Sequence, residues 1–164
     1  MSLEVIIGNH QEATEIPASW LTALGDAARE AVALALARAA HDDSALVHLT
    51  TLEVALVDDV TSDRVHREFM NLDGPADVIT FHHGEIVIGA EVARRQANEY
   101  GESPAREILR YIVHGLLHLA GHDDTDAQAC AVMEAAQESI VATLWTTGLQ
   151  ARMTSPALPA PPRP

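Results

Sequence analysis

Apolar residues along the chain alternate in some stretches and recur at helical spacing in others. Leu3 to Ile7 is a short β-branched run that predicts a strand, followed by a loop closed by Pro17. From Pro17–Ser19 to about Ala40, the residues Leu21, Leu24, Ala28, Ala31 and Ala35 return every three or four positions, predicting a helix whose face is mostly small. Leu46 to Val57 carries Leu52, Val54 and Leu56 at alternate positions and predicts a second strand, ended by Asp58-Asp59. Thr61 or Ser62 is expected to cap a helix running through about Met70. Turn chemistry at Asp73-Gly74-Pro75 precedes a strand at Asp77 to Phe81, and Gly84 separates it from another at Glu85 to Ile88. Three helices complete the pattern. The first covers Ala90 to Tyr100 and stops at Gly101; the second has Ser103 as cap, Pro104 as its first residue and Gly121 as its end. The third runs from Thr125 to about Thr147, with Met133, Ala136, Ile140 and Leu144 on its buried face and Gly148 as its stop.

This order predicts an α+β (mixed α/β) fold, a single sheet of about four strands packed with about five helices. With 164 residues, one domain over 1–150 is expected, and the proline-rich stretch 151–164 reads as a disordered tail. No apolar run is long enough for a membrane span, and the N-terminus lacks the basic start and apolar block of a secretory signal, so a cytoplasmic protein is expected. The single cysteine, Cys130, lies among small apolar residues and reads as a buried hydrophobe.

Charge narrows the choice of function. A net charge of −14 repels nucleic acid and anionic membrane at long range. All the basic residues are arginine, however, and Arg64, Arg67, Arg94, Arg95, Arg106 and Arg110 fall in the middle third, where a local patch could form. Phosphate loops, nucleophile elbows and Cys–His pairs are absent, which excludes those chemistries.

The chemistry concentrates in residues 114–124, HGLLHLAGHDD. On a helix His114 and His118 lie about 40° apart, one turn above the other, so both can face one ion. Glu107 and Tyr111 share their stripe, while Leu109, Ile112, Leu116 and Leu119 point the other way. Gly121 ends the helix directly afterwards, so the chain can reverse and return His122, Asp123 or Asp124 to the same ion. Two helical ligands and one from a turn leave a position for water, the arrangement of a catalytic rather than a structural zinc site.

HGLLHLAGHDD resembles the signature of the YbeY family, H-G-x-L-H-L-x-G-[YH]-D-H, at every position but the last. Upstream, PADVITF is similar to that family's P-T-D-V-L-S-F strand, and GEIVIGAEVA and AREILRYIVHG are similar to the segments that follow it. The resemblance implies a zinc-dependent endoribonuclease of ribosomal RNA maturation, holding one zinc ion and working with ribosomal subunits or assembly proteins. It implies that His114 and His118 are zinc ligands and puts the third ligand at Asp124, where the family has histidine. His122 is the rival. A family arginine just before the P-T-D-V strand is replaced by Met70, and Arg67, one turn earlier, is the candidate substitute.

Other residues near the motif carry two readings each. His82 and His83 either line an RNA groove or end a strand; Asp77 either orients a ligand histidine or closes a turn; Glu107 is either a base beside the ion or an exposed acid of the first helical turn. Two rival functions remain. A metzincin-like peptidase would need glutamate directly after the first histidine, where Gly115 stands. A ribosome-assembly factor that binds without cutting is the other.

Overall fold

The computed structural model describes residues 2–154. The order is β1 (Glu4–Asn9), α1 (Ala18–Ala37), α2 (Ala45–His48), β2 (Thr51–Val57), α3 (Asp59–Met70), β3 (Val78–Phe81), β4 (Glu85–Gly89), α4 (Ala90–Tyr100), α5 (Pro104–Leu119), α6 (Ala127–Leu144) and α7 (Thr147–Arg152). The expected mixed fold on four strands is what the chain forms: strand order is β1-β2-β4-β3, with β1, β2 and β4 parallel and β3 antiparallel at one edge.

Parallel strands need both faces covered, and the burial follows that rule. Leu52, Val54, Leu56, Ile86 and Ile88 pack into the main core with α1 and α5, while Val57, Ile79 and Val87 form a second cluster with Val65 of α3 and Phe81. α1 contributes Ala23, Ala27, Ala28, Ala31 and Ala35, all buried, so its small face lets its backbone lie close to its neighbours. α5 is the central helix: Ile108, Leu109, Ile112, Leu116, Leu117 and Leu119 are fully buried. Gly115 sits directly on the sheet, and a Cβ there would stand 2.7 Å from Ile86 Cδ1.

Several boundaries differ from expectation for local reasons. Ser44 starts a one-turn helix within the stretch expected to open the second strand, and pairing with β1 begins only at Thr51. The cap of α3 is Asp58, whose side chain accepts from Thr61 N–H (2.8 Å), rather than Thr61 or Ser62. Ser62 is buried and bridges both polar groups of Ala76, tying α3 to the start of β3. The last helix is two: α6 ends at Leu144, Thr146 caps α7, and Gly148 lies inside a helix instead of stopping one. α7 runs to Arg152 and Met153 is buried, so folded chain continues past residue 150. The rest of the expected tail, residues 155–164, lies outside the described residues.

Cys130 is exposed, not buried. It precedes Met133 by three positions on the inner stripe of α6, but it stands in the first turn, at the rim of a cavity that leaves the stripe uncovered. No helix among the described residues is long and apolar enough to cross a membrane.

Candidate metal centre

α5 carries His114 and His118 on the side turned away from Leu109, Ile112 and Leu116, and both are half-buried. Each ring is fixed through Nδ1. His114 Nδ1–H donates to Gln137 Oε1 on α6 (2.8 Å), and His118 Nδ1–H donates to the His122 carbonyl (3.1 Å). With both Nδ1 atoms donating, the two Nε2 atoms meet at 3.1 Å, a contact that a shared metal ion or a shared proton makes favourable. Two nitrogens on one tetrahedral zinc, each about 2.0–2.1 Å from it, lie roughly 3.3 Å apart, so the pair is close to ligand geometry. Burial, and next the neighbouring His114, pushes His118 below its ordinary pKa, which favours the neutral imidazole that a metal requires.

The turn after α5 supplies the third group. Gly121 has φ +96°, and its N–H and that of His122 return to the carbonyls of His118 (3.0 Å) and Leu117 (3.0 Å), closing the helix and reversing the chain. Asp123 is spent locally, accepting from Thr125 Oγ1 (2.8 Å) and the Thr125 N–H (3.3 Å), and these bonds lower its pKa. His122 turns outward, its Nε2–H donating to the Arg38 carbonyl at 2.6 Å. Asp124 remains: one ligand atom each from His114, His118 and Asp124 lie within 4.8 Å of one another, a hard carboxylate and two imidazoles of the kind zinc accepts.

Gly121 is the hinge of this turn, and alanine there would meet both a positive φ and His41 Cδ2 at 2.8 Å. Gly121→Ala should cost about 1–2 kcal/mol of stability and displace Asp124. Zinc competition against a chromogenic chelator should show at least roughly tenfold weaker binding; unchanged zinc affinity would separate the turn from the metal group.

The group opens onto a cleft of about 390 Å³ walled by β3 and by His66, Met70, His82 and Asp77. Arg67 is not among the lining residues. It pairs with Asp63 (3.2 Å) and Asp73 (3.4 Å) on the surface, so it does not take up the place left by Met70. Two more of the six arginines expected to form a patch have acidic partners: Arg95 binds Asp59 (2.8 Å), and Arg110 is surrounded by Glu102, Glu107 and Glu138. Histidine supplies the cleft's basic groups. His66 Nδ1–H donates to the Gly74 carbonyl (2.9 Å), which orients its ring on the wall. His82 lines the cleft; His83 does not, pairing with Glu85 and stacking on Phe81.

Glu107 is buried, not an exposed first-turn acid, because Arg110 one turn later bridges it to Glu102 and Glu138. Burial nevertheless raises its pKa, and burial followed by the charge of Glu107 raises that of Tyr111. Asp77 accepts from the N–H of Val78, the first residue of β3 (2.7 Å), and also lines the cleft. Two residues that the sequence reading passed over are Gln137 and His66. Gln137 was detectable as a polar position between Met133 and Ile140 on an otherwise apolar stripe. His66 had no local signal.

The family model described as endoribonuclease YbeY matches residues 7–145. The chain is 37% identical over 110 residues to the endoribonuclease YbeY of Moorella thermoacetica, covering 56% of this chain and 70% of that one. It is 34% identical over 153 residues to the endoribonuclease YbeY of Sphingopyxis alaskensis, covering 80% of this chain and 91% of the relative. A Thermotoga maritima protein whose structure was solved in solution shares the fold, with a TM-score of 0.58 at 24% identity over 86% of this chain and 89% of that one. Fold, motif and matched span together place the chain in the YbeY family of endoribonucleases.

Proposed function

We propose that the chain is a zinc-dependent endoribonuclease that cuts ribosomal RNA in the cytoplasm during ribosome maturation, with His114, His118 and Asp124 holding one ion. The observation that carries the reading is the pair of Nε2 atoms 3.1 Å apart, both rings locked in the ligand tautomer and opening onto a cleft with Asp124 beside them. Zinc bound there supplies a Lewis acid and brings the pKa of its water to about 7. The chain's own side chains do the rest. Gln137 and the His122 carbonyl keep the imidazoles aimed. Asp124 adds negative charge to the ligand set, which weakens the Lewis acid relative to a third imidazole. His66 and His82 place imidazoles where an RNA phosphate would lie, in a protein whose net charge otherwise repels it.

The peptidase alternative loses ground on packing. A glutamate base after the first histidine has no room, because even a Cβ at Gly115 runs into Ile86. Zinc-loaded protein incubated with structured ribosomal RNA and with unfolded casein should fragment the RNA and leave the casein whole. A chelator should stop the cleavage and zinc restore it. Cut casein with intact RNA would overturn the reading, and intact RNA with retained binding to ribosomal subunits would favour an assembly factor.

A further inference from the structure

Arg110 and His114 stand one turn apart on α5, and the adjacent residues Glu138 and Gln137 meet them from α6. Their side chains form one hydrogen-bonded chain. Arg110 donates to Glu138 twice, from Nε to Oε2 (2.8 Å) and from Nη2 to Oε1 (3.1 Å). Glu138 Oε2 also accepts from the Gln137 side-chain NH2 (3.2 Å), and Gln137 Oε1 accepts from His114 Nδ1–H (2.8 Å). We propose that Glu138, held by Arg110, is a positioning residue of the metal centre: it fixes which way the Gln137 amide points and so makes His114 offer Nε2 to the metal. The proposal rests on the zinc reading of His114, His118 and Asp124, and adds what selects the ligand form of the first of them.

Neither Gln137 nor His114 sets this direction alone. An amide has a donor end and an acceptor end, and a neutral imidazole carries its proton on either nitrogen. If the amide turned round, its NH2 would donate to His114 Nδ1 and the ring proton would move to Nε2. That N–H would then point at His118 Nε2, 3.1 Å away. Both histidines are satisfied in this alternative, and His114 has no lone pair left for a metal. Glu138 opposes it, because an ionised carboxylate only accepts. Burial raises the Glu138 pKa, but the hydrogen bonds from Arg110 and Gln137, with the nearby arginine charges, outweigh it and keep the group ionised. A reversed amide would set Gln137 Oε1 against Glu138 Oε2, two acceptors with no proton between them. Arg110 supplies the rigidity. The Glu138 side chain is 45% exposed, and the paired bonds from one planar guanidinium keep it from swinging into water.

Glu138→Gln keeps the shape of the side chain but offers Gln137 a donor as readily as an acceptor, so the selection is lost. In full-length protein, competition against a chromogenic chelator should show zinc bound roughly fivefold or more weakly than in the wild type. The tautomer supplies a second readout. In zinc-free protein labelled with 15N-histidine, at about pH 8 where imidazole is neutral, the Nδ1-protonated form of His114 should be less populated in Glu138→Gln than in the wild type. Gln137→Glu provides the background that separates positioning from charge. A carboxylate at position 137 accepts from His114 Nδ1–H whatever stands at position 138, so adding Glu138→Gln there should not weaken zinc binding further. A plain effect of the Glu138 charge on the cation would persist in both backgrounds. Unchanged zinc affinity in Glu138→Gln, an unchanged His114 tautomer, or the same loss of affinity in the Gln137→Glu background would each overturn the proposal. Absence of zinc uptake by the wild type would remove the metal reading instead, and the tautomer of the zinc-free protein would still decide whether Glu138 sets the form of His114.

Discussion

Replacing His114 and His118 together by alanine should give a folded protein that takes up almost no zinc, against about one ion per chain for the wild type. RNA cleavage should fall by about three orders of magnitude or more, because the lost Lewis acid is worth several kcal/mol in the transition state. The fold should survive, since both side chains are only half-buried and lie off the face formed by Ile112 and Leu116. Metal analysis and circular dichroism on the same preparation read both halves of the expectation, and equal zinc in wild type and variant would end the metal hypothesis. Single substitutions in the following turn sharpen it. Asp124→Ala should lose most of the zinc, whereas His122→Ala should keep it, because His122 already serves the Arg38 carbonyl. Asp124→His should bind zinc and cut faster, an imidazole having replaced a carboxylate in the ligand set.

The pattern of what could be read from the chain follows from where each signal lives. α4 was legible end to end because its stop is local: Gly101 adopts φ +67° and closes the helix by itself. The two histidines were legible because helical geometry alone puts them on one face, and Gly121 because a reversal after them needs positive φ. The partners of the turn were not. His122 is occupied by a carbonyl at the end of α1, a contact between residues far apart in sequence, so helical spacing alone does not tell it from Asp124, which the family resemblance singles out.

Misreadings have the same origin. Cys130 sits on the right stripe of α6, yet the element that would cover it is replaced by a cavity. Glu107 looks like a surface acid until Arg110 draws in Glu102 from before the helix and Glu138 from α6. Arg67 stands one turn from Met70, but two aspartates hold it outside. Charged side chains are the hardest to place from sequence because their position depends on which counter-charge the fold delivers.

That dependence makes Arg110→Met the most damaging single change expected outside the metal centre. The Arg110 side chain is 14% exposed and Glu107's 8%, so removing the guanidinium leaves carboxylates short of water and of a cation. Breaking a buried ion pair from one side costs about 3–5 kcal/mol, and the partial exposure of Glu138 argues for the lower end. For a domain of this size that corresponds to a melting temperature lower by roughly 6–12 °C. The pH dependence carries the diagnosis. In the wild type the hydrogen bond from Arg110 holds Glu102 below its ordinary 4.5; burial pushes Glu138 up, but the hydrogen bonds from Arg110 and Gln137 and the nearby arginine charges together outweigh it and hold it low. Both therefore contribute stability above pH 4.5 that is lost as pH falls through their lowered values. Glu107, raised by burial, acts in the opposite sense: its contribution is present below the ordinary value and fades as pH rises through the raised one. Without Arg110, burial and mutual repulsion raise all three carboxyls, so between pH 7 and about pH 5 the variant should gain more stability than the wild type, in which Glu107 alone of the three is raised. Urea midpoints at the two pH values decide it: a gap that narrows toward pH 5 supports a buried triad held by one guanidinium, and parallel curves would reduce Arg110 to a packing residue.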